Sequence, residues 1–299
     1  MTEKKGVVLV VDDQPNNLKV LLTFLERQNF QVMVAQNGER ALQAVANGQP
    51  EILLLDVMMP GMDGFETCRK LKENKETASI PVIFMTALDG VEDKVTGFEV
   101  GGVDYITKPF QEVEVLARLN THITMRRQQL ALERMATHDQ LTGLYNRHHF
   151  INTFEQEMNR CRRYKNDLVL MMLDIDHFKK VNDTCGHKCG DNVLQQLAGR
   201  LEDTVRTTDS TFRFGGEEFV ILLPETNINS CYHVAEKIRK ACAEVPFSLD
   251  CNLKTITVSI GIVSYHGQPL QNINDLINFA DQALYQAKEN GRNQVVIYS

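Results

Sequence analysis

The chain lacks the usual marks of a membrane, secreted or nucleic-acid-binding protein. No apolar run approaches the roughly 18 residues that a membrane-spanning helix needs. The N-terminus leads straight into a short apolar segment, without the apolar core and small-residue cleavage site of a signal peptide. The net charge of −7 argues against a general nucleic-acid binder. We therefore expect a cytoplasmic protein that binds neither membrane nor nucleic acid.

The cysteines do not suggest a disulfide framework. There are seven of them, an odd number, and they are widely scattered. Cys185 and Cys189 flank a histidine within five residues, but no second Cys/His pair lies nearby to complete a tetrahedral metal site. We interpret these two as ordinary reduced thiols.

What the chain does have is globular composition, with 43% hydrophobic and 24% charged residues, and 299 residues suffice for about two domains. In the first 110 residues, strand-like apolar runs alternate with segments of helical periodicity. This alternation predicts an α/β domain, a doubly wound parallel sheet with helices on both faces. The expected strands are 7–11, 31–35, 52–55, 82–85 and 103–106.

The pattern changes after Thr137. The order of signals becomes β-α-β-β-α-β, followed by a further helix and strand. This order predicts an α+β, ferredoxin-like domain, with an antiparallel sheet and helices on one face. The expected strands are 168–173, 211–214, 219–223, 255–263 and 294–297, and the expected helices are 191–205, 230–243 and 274–289.

A segment without proline or glycine joins the two halves. It runs from Gln111 to Thr137, with Leu116, Ile123 and Leu130 spaced by seven residues. We predict one long helix that leaves the first domain and enters the second. It has two interpretations, a two-chain coiled coil or a packed terminal helix with a solvated linker, and the run is shorter than a firm coiled-coil assignment requires.

Polar residues follow the strands of the first domain, where the ligand site of an open α/β sheet lies. Asp12 and Asp13 follow the first strand, Asp56 ends the third, and Thr86 and Lys108 end the fourth and fifth. Clustered carboxylates repel one another unless a cation lies among them, and oxygen ligands favour Mg²⁺. An acid cluster with a hydroxyl and a lysine predicts phosphoryl transfer to a carboxylate.

In the second domain, the sequence Gly-Gly-Glu-Glu-Phe at 215–219 predicts a tight hairpin with Glu217 and Glu218 at its tip. Asp174 directly follows the expected apolar strand at 168–173 and would face these acids if the two strands are neighbours. Asp174 and Glu217 would then hold a metal that carries a triphosphate. Asp176, two residues on, would share Asp174's side if that strand continued.

Other residues of this half suit a nucleotide. Asn182 and Asp191 can read the donor and acceptor edge of guanine. Lys288 and Arg292, four residues apart near a helix end, can meet phosphate oxygens. Asp139 and Arg147 bracket a turn, which we expect them to fix by a salt bridge.

The first half resembles the receiver domain of two-component response regulators. The resemblance rests on Val11-Asp12-Asp13, the segment LDVMMPGMDG at 55–64, Thr86-Ala87 and Lys108-Pro109-Phe110. It implies Asp56 as phospho-acceptor and a cognate histidine kinase as phosphate donor. It also implies a Mg²⁺ site formed by Asp12, Asp13, Asp56 and the Met58 carbonyl. Thr86 and Lys108 would contact the phosphoryl oxygens, and Tyr105 would be the aromatic switch.

The second half resembles the GGDEF-domain diguanylate cyclases, in a GGEEF variant. The segments that carry the resemblance are 139–147, 174–191, 215–219 and 281–292. They imply that a homodimer condenses two GTP to cyclic di-GMP and two pyrophosphates, with one or two Mg²⁺ per site, for which Mn²⁺ can substitute. The implied ligands are Asp174, the Ile175 carbonyl and Glu217 for metal, Phe178, Asn182 and Asp191 for the nucleotide, and Lys179, Lys288 and Arg292 for phosphate. Glu217 and Glu218 are the alternatives for the general base.

The same resemblance implies product inhibition. Arg206 and Asp209 match an Arg-x-x-Asp pattern that binds cyclic di-GMP in this family, with Arg160 as the candidate second arginine.

We expect a receiver at 1–123, a helical linker at 112–137 that continues its last helix, and a cyclase domain at 138–299. The alternative is a catalytically silent module that senses GTP or cyclic di-GMP and acts through a protein partner.

Overall fold

The computed structural model describes residues 4–87, 91–249, 255–267 and 274–298, without the side chains of 91–94. It divides the chain into two compact units, Met1–Leu132 and Glu133–Ser299. Within the described ranges, each unit contains one five-stranded sheet.

The first unit alternates strands and helices as the sequence predicts. All strand pairs are parallel, in the order β2-β1-β3-β4-β5. Side chains of α1 and α5 pack on one face of the sheet and those of α2 and α3 on the other, so the doubly wound α/β prediction is confirmed. The elements are β1 (Val7–Val11), α1 (Pro15–Arg27), β2 (Gln31–Ala35), α2 (Gly38–Gly48), β3 (Ile52–Asp56), α3 (Gly64–Glu73), β4 (Val82–Thr86), α4 (Val91–Glu99), β5 (Asp104–Thr107) and α5 (Glu112–Thr137).

The long helix α5 is confirmed, but its apolar residues divide differently from the predicted heptad. Ile123 is 4% exposed because it belongs to the core of the first unit, and Leu116 packs against that core. Leu130, by contrast, is exposed. The exposed apolar residues of the last half of the helix are Met125, Leu130, Leu132 and Met135.

The second unit has the predicted α+β order. Its strands lie in the order β10-β9-β6-β8-β7. The elements are α6 (Arg147–Tyr164), β6 (Leu168–Ile175), α7 (Phe178–Cys185), α8 (His187–Glu202), β7 (Ser210–Gly215), β8 (Glu218–Pro224), α9 (Ile228–Glu244), β9 (Val258–Tyr265), α10 (Asn274–Glu289) and β10 (Val295–Ile297).

Two details of this unit differ from the prediction. The sheet is mixed, because β10 pairs with β9 in parallel whereas the other pairs are antiparallel. Helices also cover both faces, with α7, α8 and α9 on one and α6 and α10 on the other. The sequence gives the order of elements correctly, but periodicity does not tell on which side of a sheet a helix packs.

Candidate functional sites

The first unit gathers its acids where its parallel strands end. Asp12 and Asp13 follow β1 and Asp56 closes β3, and a ligand atom of each lies within 4.8 Å of the other two. Lys108 follows β5, and its Nζ lies 2.8 Å from Asp12 Oδ2 and 2.6 Å from Asp56 Oδ2. The structure thus brings the four predicted residues together.

The electrostatics of this cluster fit a cation. Burial raises the pKa of Asp56, against the opposing effect of Lys108. Asp13 Oδ1 is buried and has no hydrogen-bond partner among the described residues. A buried carboxylate oxygen without a donor is costly, and a divalent cation bound by oxygen ligands would satisfy it. The donor set therefore fits Mg²⁺.

The remaining predicted receiver residues surround this cluster or lie on the adjacent strands. Met58 is exposed, and its N–H lies 3.4 Å from Asp56 Oδ1. Thr86 is buried at the end of β4, and Tyr105 on β5 is half-buried. A cavity of about 10 Å³ is lined by Thr86, Tyr105 and Phe98, among others. This void is about the volume that one water molecule needs.

In the second unit, Glu217 and Glu218 lie at a hairpin tip as predicted. β7 ends at Gly215 and β8 begins at Glu218, so Gly216 and Glu217 form the two-residue connection. Gly216 has a φ of +47°, a left-handed conformation that glycine adopts at little cost and that two-residue hairpins require.

Asp174 lies beside this tip because β6 and β8 are antiparallel neighbours. It pairs in register with Glu218, so the two side chains share a face of the sheet. Lys288 of α10 reaches the same place, with Nζ 2.8 Å from Asp174 Oδ2. Burial, and then the charge of Asp174, raise the pKa of both Glu217 and Glu218.

The pKa of Asp174 is also raised, first by burial, although Lys288 and Arg292 act in the opposite direction. Carboxylates that raise one another's pKa form a site where a cation is favourable, and oxygen ligands suit Mg²⁺. The donor set thus fits a divalent metal. Ile175 is fully buried, and its predicted contribution is a backbone carbonyl.

Arg213, which lies on β7 of the hairpin itself, bonds the tip and links it to Asp139, a contact that the sequence pattern did not predict. The Arg213 guanidinium donates to the Gly216 carbonyl, at 2.7 Å from Nη2, and to Asp139 Oδ1, at 3.0 Å from Nη1. The expected Asp139–Arg147 salt bridge is therefore wrong, because Asp139 pairs with Arg213 and the Arg147 guanidinium lies over the Phe214 ring. The position of Arg213 two residues before the glycines was the available signal.

The two guanine-reading candidates are brought together by a close approach of α7 and α8. Gly190 lies so near Asn182 that a Cβ at this position would be 2.0 Å from Asn182 Oδ1. Asp191 is the next residue and is exposed. Phe178 is 7% exposed and belongs to the core beneath them, so it supports this region by packing.

The phosphate candidates lie on α7, on α10 and in the turn after α10. Lys179 is exposed on α7. Lys288 is near the end of α10, and Arg292 is in the turn that follows, where its charge partly opposes the rise that burial causes in the pKa of Asp174. The Arg292 charge is thus close enough to the acids to act on them.

Arg206 and Asp209 form a compact turn before β7. Asp209 Oδ2 accepts from the Arg206 N–H at 2.9 Å, and the Asp209 N–H donates to the Arg206 carbonyl. Arg160 Nη2 lies 3.0 Å from Glu225 Oε1, just beyond the end of β8. Since Ser210 pairs with Leu222, both features lie at the open end of the β7–β8 hairpin, opposite its tip.

The cysteine interpretation holds in part. Cys189 is a reduced thiol, as are Cys68, Cys161, Cys231 and Cys242. Cys185, however, is disulfide-bonded, so the expectation of a reduced thiol is wrong there. Cys251 lies outside the described residues.

Among the described residues, none of the helices combines the length and the apolar character that a membrane span requires.

Comparisons with known families match both halves. The family "Diguanylate cyclase, GGDEF domain" matches residues 136–294, and "Response regulator receiver domain" matches residues 8–120. The response regulator PleD of Caulobacter vibrioides is 27% identical, over 97% of this chain and 98% of PleD.

Other similar proteins match the second half. The diguanylate cyclase DgcM of Escherichia coli is 42% identical over 55% of this chain and 39% of its own length. The crystal structure of the coiled coil and GGDEF domain of Caulobacter crescentus DgcB, in complex with c-di-GMP, has a TM-score of 0.56 and 30% identity, covering 62% of this chain and all of that one. The chain therefore belongs to the GGDEF diguanylate cyclase family, as a response regulator that carries a receiver domain before its cyclase domain.

Proposed function

We propose that phosphorylation of Asp56 controls the diguanylate cyclase activity of this chain. The observation that carries the proposal is that both halves keep a full set of the predicted reactive groups, and that one helix, α5, leads from the receiver towards the cyclase domain. The proposal places the protein in the cytoplasm, downstream of a histidine kinase.

In the receiver, the Asp56 carboxylate would attack the phosphorus of the kinase's phosphohistidine. A carboxylate–phosphorus bond forms and the nitrogen–phosphorus bond breaks. Asp12, Asp13, Asp56 and the Met58 carbonyl would hold Mg²⁺, which when bound neutralises charge on the transferred group. Lys108, already paired with Asp12 and Asp56, would contact a phosphoryl oxygen. Thr86, at the end of β4, would also contact a phosphoryl oxygen.

The response would pass through Tyr105. Its ring packs against Phe98 on α4, and the Arg118 guanidinium of α5 lies over it, 5.6 Å from the ring centre. Arg118 in turn pairs with Asp104. A movement of Tyr105 towards the phosphorylated site would therefore change the contacts of α5, the helix that leads out of the receiver. This is a population shift between two arrangements.

In the cyclase domain, one GTP would bind per chain. Asn182 and Asp191 would read guanine above the packed Phe178, and Lys179, Lys288 and Arg292 would contact phosphates. Asp174, the Ile175 carbonyl and Glu217 would hold Mg²⁺, with Mn²⁺ as a substitute, and the metal when bound supplies charge neutralisation at the phosphates. Glu217 and Glu218 are the two candidates for the base that takes the 3′-hydroxyl proton.

The chemistry requires two such sites. Each 3′-oxygen bonds to the α-phosphorus of the other GTP, while the bond from that phosphorus to the bridging oxygen of pyrophosphate breaks. A single site holds only one nucleotide, so we propose a symmetric homodimer in which two sites face each other. The exposed apolar residues Met125, Leu130, Leu132 and Met135 support α5 as a dimer contact, and the DgcB structure contains a coiled coil with its GGDEF domain.

We further propose that cyclic di-GMP inhibits the enzyme at Arg206 and Asp209. The guanidinium of Arg206 is exposed in a turn fixed by Asp209, and Arg160 lies at the same open end of the hairpin. Arg206→Ala should relieve inhibition by added product and leave the initial rate unchanged. Arg163→Ala is the matched control, because Arg163 is an exposed arginine outside the proposed sites.

The regulatory proposal is tested by turnover of the full-length protein with GTP and Mg²⁺, with and without beryllofluoride, which mimics a phosphoryl group. We expect about tenfold stimulation, within the usual range of allosteric coupling, and a molar mass that doubles. Asp56→Asn should keep basal turnover and lose the stimulation. Equal stimulation of this variant would refute the mechanism. Absence of pyrophosphate and cyclic di-GMP from the stimulated protein would favour the silent sensing module, which the family comparisons do not favour.

A further inference from the structure

Asp176 is a buried carboxylate for which the proposed mechanism has no use. It is 5% exposed and follows β6 by one residue, two positions after Asp174. Its hydrogen-bond donors all come from elsewhere in the unit. Thr257 Oγ1 donates to Oδ2 at 2.7 Å, Ser259 Oγ to Oδ1 at 2.7 Å, and the Asn293 N–H to Oδ2 at 3.0 Å.

These bonds occupy both oxygens of Asp176. A buried carboxylate that accepts three hydrogen bonds is well satisfied, and replacing it would leave its donors without an acceptor. Two of the donors lie on or just before β9, so they tie Asp176 to the sheet. The third lies in the turn after α10, 117 residues away in sequence. Asp176 therefore joins the sheet to this turn.

The turn after α10 has an unusual backbone. Gly291 has a φ of +109°, and it is followed by Arg292 at +63° and Asn293 at +46°. Two successive side-chain-bearing residues in the left-handed region are unfavourable and persist only where surrounding contacts hold them. Besides Asp176, these contacts are the Ala287 carbonyl, which accepts from the Arg292 N–H, and Arg239, which donates to Asn293 Oδ1.

The turn carries a residue of the candidate phosphate site. Arg292 is exposed, and its charge partly opposes the rise that burial causes in the pKa of Asp174. The position of its guanidinium depends on the backbone of the turn, and the Asp176 bond to the next residue fixes that backbone. An arginine held in place binds phosphate better than a mobile one, because less conformational entropy is lost on binding.

We propose that Asp176 is a positioning residue that holds the Gly291–Arg292–Asn293 turn, so that the Arg292 guanidinium meets the phosphates of GTP. The proposal rests on the function proposed above for Arg292, and it deepens that function by assigning the residue that sets its geometry. It also gives the two aspartates of Asp-Ile-Asp different roles. Asp174 faces the acids of the hairpin, whereas Asp176 holds the phosphate-binding turn.

The test compares the binding of two nucleotides to the full-length protein in Mg²⁺ by equilibrium titration. They are GMP and α,β-methylene-GTP, which takes the place of GTP because it cannot release pyrophosphate. Asp176→Ala should raise the dissociation constant of GTP about tenfold, as the loss of a charge-assisted hydrogen bond would, and that of GMP less than twofold. Asp176→Asn should restore most of the affinity, because its Oδ1 can accept from Asn293 while Nδ2 donates to the Ser259 hydroxyl. Thr226→Val, which removes a buried hydroxyl bonded to the Pro224 carbonyl, controls for general loss of stability.

A double-mutant cycle distinguishes positioning from structural support. Arg292→Ala alone should weaken GTP binding, and adding Asp176→Ala should then weaken it no further. Equal weakening of GTP and GMP, or additive effects in the cycle, would overturn the proposal. If Arg292→Ala leaves GTP affinity unchanged, it is the phosphate role of Arg292 that fails. If Asp176→Ala does not fold, Asp176→Ser, which leaves a smaller void, takes its place in every arm.

Discussion

The two acid sites of this chain have similar components and different construction. Each combines three carboxylates with one lysine. In the receiver, Asp12, Asp13 and Asp56 lie at adjacent strand ends within 4.8 Å of one another, and Lys108 pairs with two of them. In the described part of the second unit no three acids meet that distance, and Lys288 pairs with Asp174 alone.

The difference follows from the elements that carry the acids. Parallel strands end at one edge of a sheet, so side chains at their carboxyl ends converge without help from a ligand. A hairpin tip extends beyond the sheet, and among the described residues the acidic neighbours of Glu217 are Asp174 and Glu218 of the adjacent strands. We therefore expect the receiver site to hold Mg²⁺ with its own side chains, and the cyclase site to need nucleotide phosphates to complete the coordination.

The largest effect expected from this comparison is on turnover. Asp174→Asn keeps the size of the side chain and removes the charge that faces Glu217, Glu218 and Lys288. We expect at least a 10²-fold loss of turnover, about the cost of removing one preorganised charged group from a reacting centre. Binding of beryllofluoride at the receiver should be unchanged.

Asp56→Asn is the matched variant in the other site, and it should give the opposite pattern. Basal turnover should persist while beryllofluoride no longer binds. Pyrophosphate release and the fluorine signal of the bound beryllofluoride measure the two properties separately. Turnover of Asp174→Asn within threefold of the unmodified protein would mean that the cyclase acids do not act as a unit.

A smaller effect is expected where the cyclase site depends on close backbone packing. Gly190→Ala would place a Cβ 2.0 Å from Asn182 Oδ1, so Asn182 or α8 must move. We expect KM for GTP to rise about tenfold, the range for disturbing one hydrogen-bonded specificity contact, with a weaker preference for GTP over ATP.

Gly199→Ala is the control for this change, because it lies on the same helix and a Cβ there meets no atom within 4 Å. It should leave KM unchanged and stabilise the helix by up to about 1 kcal/mol. Thermal unfolding of both variants separates a local displacement from a loss of stability. Equal KM values in the two would show that the Gly190 contact does not position Asn182.

How much of this was predictable depends on the sequence distance of each contact. The strand-end acids and the hairpin tip are local features, and the strand pattern was enough to predict them. The Asp139–Arg213 pair and the Asp176–Asn293 bond join residues 74 and 117 positions apart. They depend on which strands and turns become neighbours, and periodicity does not contain that information. Ile123, one of the three residues of the predicted heptad, packs in the receiver core. It therefore cannot contribute to a dimer contact.

The smallest expected effect is a pH dependence that the cyclase acids share. Burial raises the pKa of Asp174, Glu217 and Glu218 above their ordinary values of 3.8 and 4.5. A carboxylate must be deprotonated to bind metal, so a raised pKa moves the loss of metal binding to higher pH than an ordinary acid would show. As pH falls from 8 to 6, the free Mg²⁺ concentration for half-maximal turnover should rise. Mg²⁺ is titrated at each pH, and its free concentration is calculated with the protonation of GTP taken into account. Glu217→Gln removes one of these titrating ligands and should show a flatter dependence, even though its turnover is lower. A half-saturating Mg²⁺ concentration that does not change with pH would contradict this prediction. It would indicate that the three acids are already ionised at pH 6 without help from the metal.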